Sequence, residues 1–214
     1  MTVRQYQEVY NITESEDIDW IDKSAWAICF IYGYTEHQVD FMKPKKFLRL
    51  VKRSGKLLNK AVNKPFYVSK VNTDAKKIKF GQFIEIITWI RGGIIEQIHM
   101  IAASMITDKD HAEFAESILD ENIRHYLQDV IKFMESFNDL LNSYKGLFEI
   151  EKDIDPEVKP EKPHPFIDQY GWIFSATQVA EFERVTLEES FKLPVLQALN
   201  ALSYLKSKQQ YDKK

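Results

Sequence analysis

Apolar side chains recur at spacings of three and four residues along the segment 111–150, and this stripe constrains the fold more than any other feature. An α-helix turns once in 3.6 residues, so this spacing places every member on one face. The stripe extends over about 30 residues and predicts a helix roughly 45 Å long, with Asn138 and Gly146 as the candidate break points. Its members are Leu119, Ile123, Leu127, Val130, Met134, Phe137, Leu141, Tyr144 and Phe148.

Turn-forming residues are scarce in the whole chain. Gly and Pro make up 14 of the 214 residues, about half of their average share in proteins. Aromatic residues are plentiful, with 14 Phe, 10 Tyr and 4 Trp, and they supply ample apolar area for a packed core. Both observations favour a mainly α fold over a β-sandwich, a β-barrel or a disordered chain.

Five further helices are predicted in the first half of the chain from apolar periodicity and capping signals. Asp17 is the predicted N-cap of the first helix, and Gly33 ends it. Thr35 and Gln38 form a capping box that starts the second helix. The predicted helices cover 17–33, the residues from Thr35 to just before Pro44, 44–59, 80–90 and 94–106.

One short segment has β character. Residues 65–72 are rich in β-branched and aromatic side chains and lie between Pro65 and a turn-forming sequence, so we expect a small β-hairpin near 65–80. Gly81 and Gln82 lie at the junction between this segment and the helix that follows. Gly81 is predicted to take a backbone dihedral closed to other residues, and Gln82 to satisfy free backbone groups at the helix start.

A proline-rich segment divides the chain. Residues 152–166 contain four prolines and no aliphatic cluster, which is typical of a semi-rigid linker. The linker separates a helical body, 1–151, from a C-terminal unit, 167–214. The predicted architecture is therefore a helical body with one small β-hairpin, joined by this linker to a C-terminal helical pair.

The C-terminal pair comprises predicted helices at 167–183 and 186–210. Thr186 and Glu189 form a capping box for the second helix, and Pro194 either kinks that helix or restarts it. Two helices cannot bury their apolar faces alone, so they must pack on the body or on another chain.

Charge is unevenly distributed along a chain whose formal net charge is −3. Ten cations and no acid lie between Asp40 and Asp74, whereas 108–168 holds sixteen acids and seven cations. The basic segment is either a face for nucleic acid or an acidic partner, or a solvated face that pairs with the acidic half of the same chain. Its candidate nucleic-acid contacts, within 43–64, are Lys45, Lys46, Arg49, Lys52 and Arg53.

Residues able to carry chemistry are not arranged in a recognised motif. The sequence has no phosphate-binding glycine loop, nucleophile elbow or zinc-protease helix. The single cysteine, Cys29, excludes a disulfide framework and is expected to be a buried, unreactive thiol. Glu96 and His99 form half of a helical di-iron motif whose second half is missing. We therefore expect no metal, no cofactor and no enzymatic activity.

Amphipathic helices without a catalytic motif favour a protein that binds other proteins, by packing one helix against another in a coiled-coil-like manner. The candidates for partner contact are the apolar residues of the long stripe and of the last helix. They are Leu119, Ile123, Leu127, Met134, Leu199, Leu202 and Tyr204.

Four segments carry a resemblance to known proteins: Thr2–Glu8, Ile78–Ile86, Tyr170–Trp172 and Leu193–Leu205. In this order they resemble tail assembly chaperone-like proteins of tailed phages, especially phages of gut Bacteroidota. The resemblance implies an opening helix, a helix–loop region, a small β element and a helical second part. It also implies a non-enzymatic role in phage morphogenesis. The candidate partners are other phage structural or tail proteins and further copies of the chain.

Three functions are compatible with the sequence. The protein is either an assembly chaperone or a structural component of the virion in the neck, the tail or the packaged cargo. A third interpretation is a DNA-binding accessory protein that uses the basic segment 43–64. No apolar run reaches the roughly 20 residues of a membrane span, and the N-terminus lacks a signal-peptide segment. We therefore expect the host cytoplasm during assembly, or the virion, as its location.

Overall fold

A computed structural model describes residues 1–63, 72–106, 111–148 and 165–212. Within these ranges the chain forms twelve α-helices, two 3-10 turns and no strand, which confirms the mainly α prediction. The helices are α1 Val3–Glu14, α2 Trp20–Tyr32, α3 Glu36–Asp40, α4 Pro44–Asn63, α5 Phe80–Arg91, α6 Ile98–Ile106, α7 His111–Leu119, α8 Leu127–Ser143, α9 Lys145–Phe148, α10 Pro165–Glu183, α11 Leu187–Lys192 and α12 Val195–Asp212.

The helices belong to two compact units. Unit 1 comprises Met1–Val71 and Thr88–Lys132, and unit 2 comprises Asn72–Ile87 and Phe133–Lys214. This division differs from the predicted one, because the C-terminal helices share a unit with residues from the middle of the chain. The predicted linker, up to residue 164, lies outside the described residues.

In unit 1, backbone hydrogen bonds join the start of α1 to a distant turn. The N–H of Val3 donates to the carbonyl of Glu121 at 2.9 Å, and the N–H of Ile123 donates to the carbonyl of Met1 at 3.3 Å. Thr2 and Asn122 thereby form an isolated antiparallel bridge. Thr2 also caps α1 through a capping box with Gln5, so both local and long-range bonds satisfy the free groups at this helix start.

The same bridge interrupts the long helix that the apolar stripe predicted. Helix α7 ends at Leu119, a 3-10 turn covers Ile123–His125, and α8 begins at Leu127. The carbonyl of Glu121 and the N–H of Ile123 bond to residues at the N-terminus. They therefore cannot also form the backbone hydrogen bonds of a continuous α-helix. The break therefore comes at 120–126, earlier than the predicted Asn138. A second break, between α8 and α9, lies close to Gly146 as predicted.

Local capping signals set the ends of α2 and α3. Asp19, and not the predicted Asp17, caps α2, because its Oδ1 accepts from the N–H groups of Ile21 and Asp22 at 2.7 and 3.0 Å. Gly33 ends α2 with a φ of +70°, a conformation that favours glycine. The predicted capping box of Thr35 on α3 is confirmed.

Helices α2, α3 and α4 enclose a small core in unit 1. Its buried centre is Ile28, Val39 and Leu50, one residue from each helix. Helix α4 continues to Asn63, four residues beyond its predicted end. The predicted helix 94–106 begins only at Ile98, because the turn at Gly92 and Gly93 continues through the residues between.

The core of unit 2 is built around Phe83 of α5. Its ring centroid lies 5.3 Å from that of Phe137, 6.3 Å from that of Phe80 and 6.2 Å from that of Phe148. Trp172 of α10 meets it edge-on at 5.9 Å. Phe137 of α8 and Trp172 of α10 therefore both pack on Phe83 of α5, and aromatic pairs add stability beyond the area they bury.

A second backbone bridge ties the C-terminal helices into unit 2. The N–H of Phe80 donates to the carbonyl of Leu193 at 2.9 Å, and the N–H of Val195 donates to the carbonyl of Ile78 at 3.0 Å. Pro194 lies in this bridge, opposite Lys79, and α12 restarts directly after it. The last helix therefore packs within its own chain.

The predicted β-hairpin is not seen where the structure describes this region. Residues 65–71 lie outside the described residues. Residues 72–80 hold a 3-10 turn at Ala75–Lys77, a single bridging residue and the start of α5. The extended residues 78–80 pair with 193–195 and not with their neighbours in sequence, so they cannot form a hairpin.

Gly81 is needed for space and not for its dihedral angle. Its φ is not positive, which corrects the prediction. A Cβ atom at this position would lie 3.2 Å from the carbonyl oxygen and 3.3 Å from the Cβ of Phe191. The predicted role of Gln82 is confirmed, because its Oε1 accepts from the N–H of Lys79 at 2.9 Å.

Matched glycine substitutions test this close approach. We expect Gly81→Val to lower the free energy of unfolding by about 2 kcal/mol, because the added side chain meets the backbone of Phe191. A Cβ atom at Gly55, in α4, meets nothing within 4 Å, so Gly55→Val should change this free energy by less than about 0.5 kcal/mol. Urea denaturation followed by circular dichroism measures both values, and equal stability of the two variants would contradict the packing described here.

Candidate interaction surfaces

Glu96 and His99, the pair that matches half of a di-iron motif, belong to a structural hydrogen-bond network in unit 1. The side-chain amide of Gln7 donates to the carbonyls of Ile95 and Glu96 at 3.1 and 2.7 Å, and it lies 3.0 Å from Nδ1 of His99. Because an amide nitrogen can only donate, Nδ1 of His99 is the acceptor in this hydrogen bond. The network joins α1 to the beginning of α6.

Burial lowers the pKa of His99, and the guanidinium of Arg4 acts in the same direction while the carboxylate of Glu116 opposes it. A neutral imidazole fits this setting, since only an unprotonated Nδ1 can accept a hydrogen bond from the amide of Gln7. Across the described residues no three His, Cys, Asp or Glu side chains form a group that could hold a metal ion. In Cys29, burial and the nearby acids Glu36 and Asp40 raise the thiol pKa.

The predicted partner-binding residues divide by burial. Leu119, Ile123, Leu127 and Leu199 are buried, so they form core and not an accessible contact surface. Met134 and Leu202 are half-buried. Of the seven, Tyr204 alone is exposed, with 56% of its surface accessible. The physical reason is that an apolar stripe at helical spacing is equally suited to the interior of its own protein and to a partner.

The exposed apolar residues of unit 2 lie instead on α10 and at one position of α12. Helix α10 buries Ala176, Val179 and Ala180, yet it also carries large apolar side chains that are exposed. We call these residues the aromatic face. They are between 40% and 56% exposed and are Tyr170, Ile173, Phe174, Phe182 and Tyr204.

The aromatic face has two parts, one near the start of α10 and one that joins the end of α10 to α12. Tyr170 and Phe174 are four residues apart and therefore neighbours on α10. The rings of Phe182 and Tyr204 lie 5.4 Å apart, which connects α10 with α12. A sequence signal for this face exists, because the apolar residues of α10 are distributed around the helix and are not confined to one stripe. The sequence does not indicate which side of α10 packs inward. The predicted partner-contact residues therefore include none from this helix.

A second surface lies on α4 in unit 1 and is strongly basic. The buried side of this helix carries Leu50, Ser54 and Ala61. The exposed side carries seven cations, and α4 has no acidic residue at all. We call these seven residues the cationic face; they include all five predicted nucleic-acid contacts and are Lys45, Lys46, Arg49, Lys52, Arg53, Lys56 and Lys60.

Two of these cations rest on aromatic rings next to the helix. The Nζ of Lys46 lies 4.7 Å from the ring centroid of Tyr34, and the guanidinium of Arg53 lies 5.8 Å from that of Tyr32. Among the residues that the structure describes, no acid forms an ion pair with any of the seven. Their charge is therefore left without a partner inside the described part of the chain.

Comparison with known proteins identifies no relative. No protein-family model, curated protein or solved structure matches this chain. The resemblance to tail assembly chaperone-like proteins therefore stays a prediction. Within the described ranges, the helices are too short or too polar to cross a membrane. The interpretation of the protein thus depends on its two exposed faces.

The network around His99 predicts a pH dependence of stability. Because burial lowers the pKa of His99 in the folded state, the unfolded chain binds a proton there that the folded chain does not. The free energy of unfolding should therefore be highest above the ordinary histidine pKa of about 6.5 and fall as the pH drops below it. Denaturation at about pH 5.5 and about pH 7.5 measures this difference.

The variant His99→Gln keeps an acceptor for Gln7 but does not titrate in this range. We expect a smaller loss of stability between the two pH values in this variant than in the wild type. An identical loss in both proteins would show that His99 is not held neutral by the fold.

Proposed function

We propose that the protein acts without catalysis in the assembly of a tailed phage, by binding another structural protein through helix-on-helix contact. The observation that carries this proposal is the aromatic face. Large apolar side chains stay exposed on helices whose other sides are already buried, and Tyr170, Ile173 and Phe174 are neighbours on α10. An exposed apolar patch of this kind is characteristic of interaction sites. The resemblance of four sequence segments to tail assembly chaperone-like proteins supports the same interpretation.

The aromatic face is presented on a rigid support. Trp172 of α10 packs on Phe83, and Ala176 and Val179 are buried. A partner that docks on α10 therefore loses little free energy to ordering this surface. Aromatic side chains with few rotatable bonds bury a large area on contact, and such residues dominate the energy of protein interfaces.

The chemistry of the face indicates the kind of partner. Ile173, Phe174 and Tyr170 match an apolar helical stripe, such as the one an unassembled tail protein exposes before it polymerises. Glu181 lies seven residues after Phe174, on the same side of α10, and is exposed. A partner with an apolar stripe bordered by a cation therefore fits best. In this role the protein covers the stripe until polymerisation buries it.

A substitution within the face tests the proposal. We expect Ile173→Glu combined with Phe174→Glu to abolish co-purification of a phage structural protein with the tagged chain from infected cells, because two charges would be buried in the contact. Both side chains are more than half exposed, so the fold should tolerate the change. The control is Phe41→Glu, an 80% exposed aromatic residue of unit 1.

The two phage roles make different predictions for the mature particle. An assembly chaperone is absent from purified particles, whereas a neck, tail or cargo component is present at a fixed copy number. Quantitative mass spectrometry of purified particles distinguishes them. If the double variant retained the same phage partner as the wild type while Phe41→Glu lost it, the aromatic face would not be the contact surface.

A further inference from the structure

We propose that the cationic face of α4 binds the phosphate backbone of nucleic acid, without selecting a base sequence. This activity is separate from the protein contact proposed above, since it uses another helix and another class of partner. Its basis is the placement of seven exposed cations on one helix face.

The seven cations form a continuous surface both around and along α4. At 100° per residue they occupy an arc of about 120° on the side away from the buried Leu50 and Ala61. Along the helix the cations at 45, 49, 52, 56 and 60 recur every three or four residues, which is a step of about 4.5–6 Å. A nucleic-acid strand carries one negative charge per roughly 3.4 Å, so both surfaces present charge at similar intervals.

This arrangement differs from an ordinary solvated helix face. Solvated helices usually interleave acids and bases, because pairs four residues apart stabilise the helix and like charges at that spacing destabilise it. Lys45 with Arg49, Arg49 with Arg53, and Lys52 with Lys56 are like-charged pairs at four-residue spacing. No acid of the described residues compensates them. A polyanion relieves this repulsion.

Nucleic acid fits the face better than an acidic protein does. Protein interfaces have an apolar centre and are depleted in lysine. The arc of the cationic face consists of lysine and arginine and contains no apolar side chain at its centre. Phosphate contacts need only such cations, and they are independent of sequence. The rings of Tyr32 and Tyr34 position the head groups of Arg53 and Lys46, which reduces the freedom these cations lose on binding.

Fluorescence anisotropy with a labelled 20-base-pair duplex and one of its single strands tests the proposal. We expect both probes to bind at about 50 mM NaCl and to weaken steeply towards about 200 mM, since each phosphate contact contributes about 0.9 to the slope of log K against log salt on the duplex and about 0.7 on the single strand. The triple variant Lys45→Gln, Arg49→Gln, Lys52→Gln should bind at least roughly tenfold more weakly. On the duplex, its slope of log K against log salt should be smaller than that of the wild type by about 2.7, the contribution of three contacts.

A matched control removes three cations elsewhere. The exposed Lys76, Lys77 and Lys208 of unit 2, all changed to glutamine, alter the net charge equally and should leave the affinity unchanged. Glutamine has a helix propensity close to that of lysine and arginine, so α4 should persist, and circular dichroism checks this. The charge-conserving variant Lys45→Arg with Lys52→Arg should retain wild-type binding.

Three results would overturn the proposal. The first is a lack of salt-dependent binding to either probe. The second is an equal loss of affinity in the control triple variant, which would reduce the effect to net charge. The third is displacement of the duplex by poly-glutamate as effectively as by unlabelled DNA at equal charge, which would assign the face to an acidic protein. None of these results affects the test of the aromatic face.

Discussion

The first backbone N–H of a helix has no partner within that helix, and this constraint links distant parts of the chain in both units. Val3 opens α1 and donates to the carbonyl of Glu121, and Phe80 opens α5 and donates to that of Leu193. Each bond spans more than a hundred residues of sequence. The first bridge divides the long apolar stripe into separate helices, and the second places the C-terminal helices on the middle of the chain.

The bridges determine which surfaces stay free for function. Because Val195 bonds to Ile78 and α12 packs within unit 2, Leu199 joins the core, and Tyr204 is left outside. Helix α10 is apolar on two sides, of which the core of unit 2 covers one. The other side is available to a partner. Helix α4 contributes Leu50 to a small core in unit 1, and its cations stay in solvent.

Local signals predicted much of the secondary structure. The capping boxes at Thr35 and Thr186, the end of α2 at Gly33 and the restart after Pro194 depend on residues within a few positions of each other. The capping box of Thr2 with Gln5 was not predicted, although its spacing matches the same pattern. The sequence predicts Asp17 as the N-cap of α2, but Asp19 is the same residue type two positions later, and its bonds to the N–H groups of Ile21 and Asp22 make it the cap.

The sequence was sufficient to predict one of the two candidate surfaces and insufficient to predict the other. It determined the cationic face by itself, because seven cations without an acid on one helix cannot be buried, whatever the fold. It also determined that the apolar residues of α10 are distributed around the helix and not confined to one stripe. Only the tertiary structure decided that Ala176 and Val179 face inward while Ile173 and Phe174 face solvent. The hydrophobic effect is non-directional, so an apolar side chain carries no local mark of which neighbour will bury it.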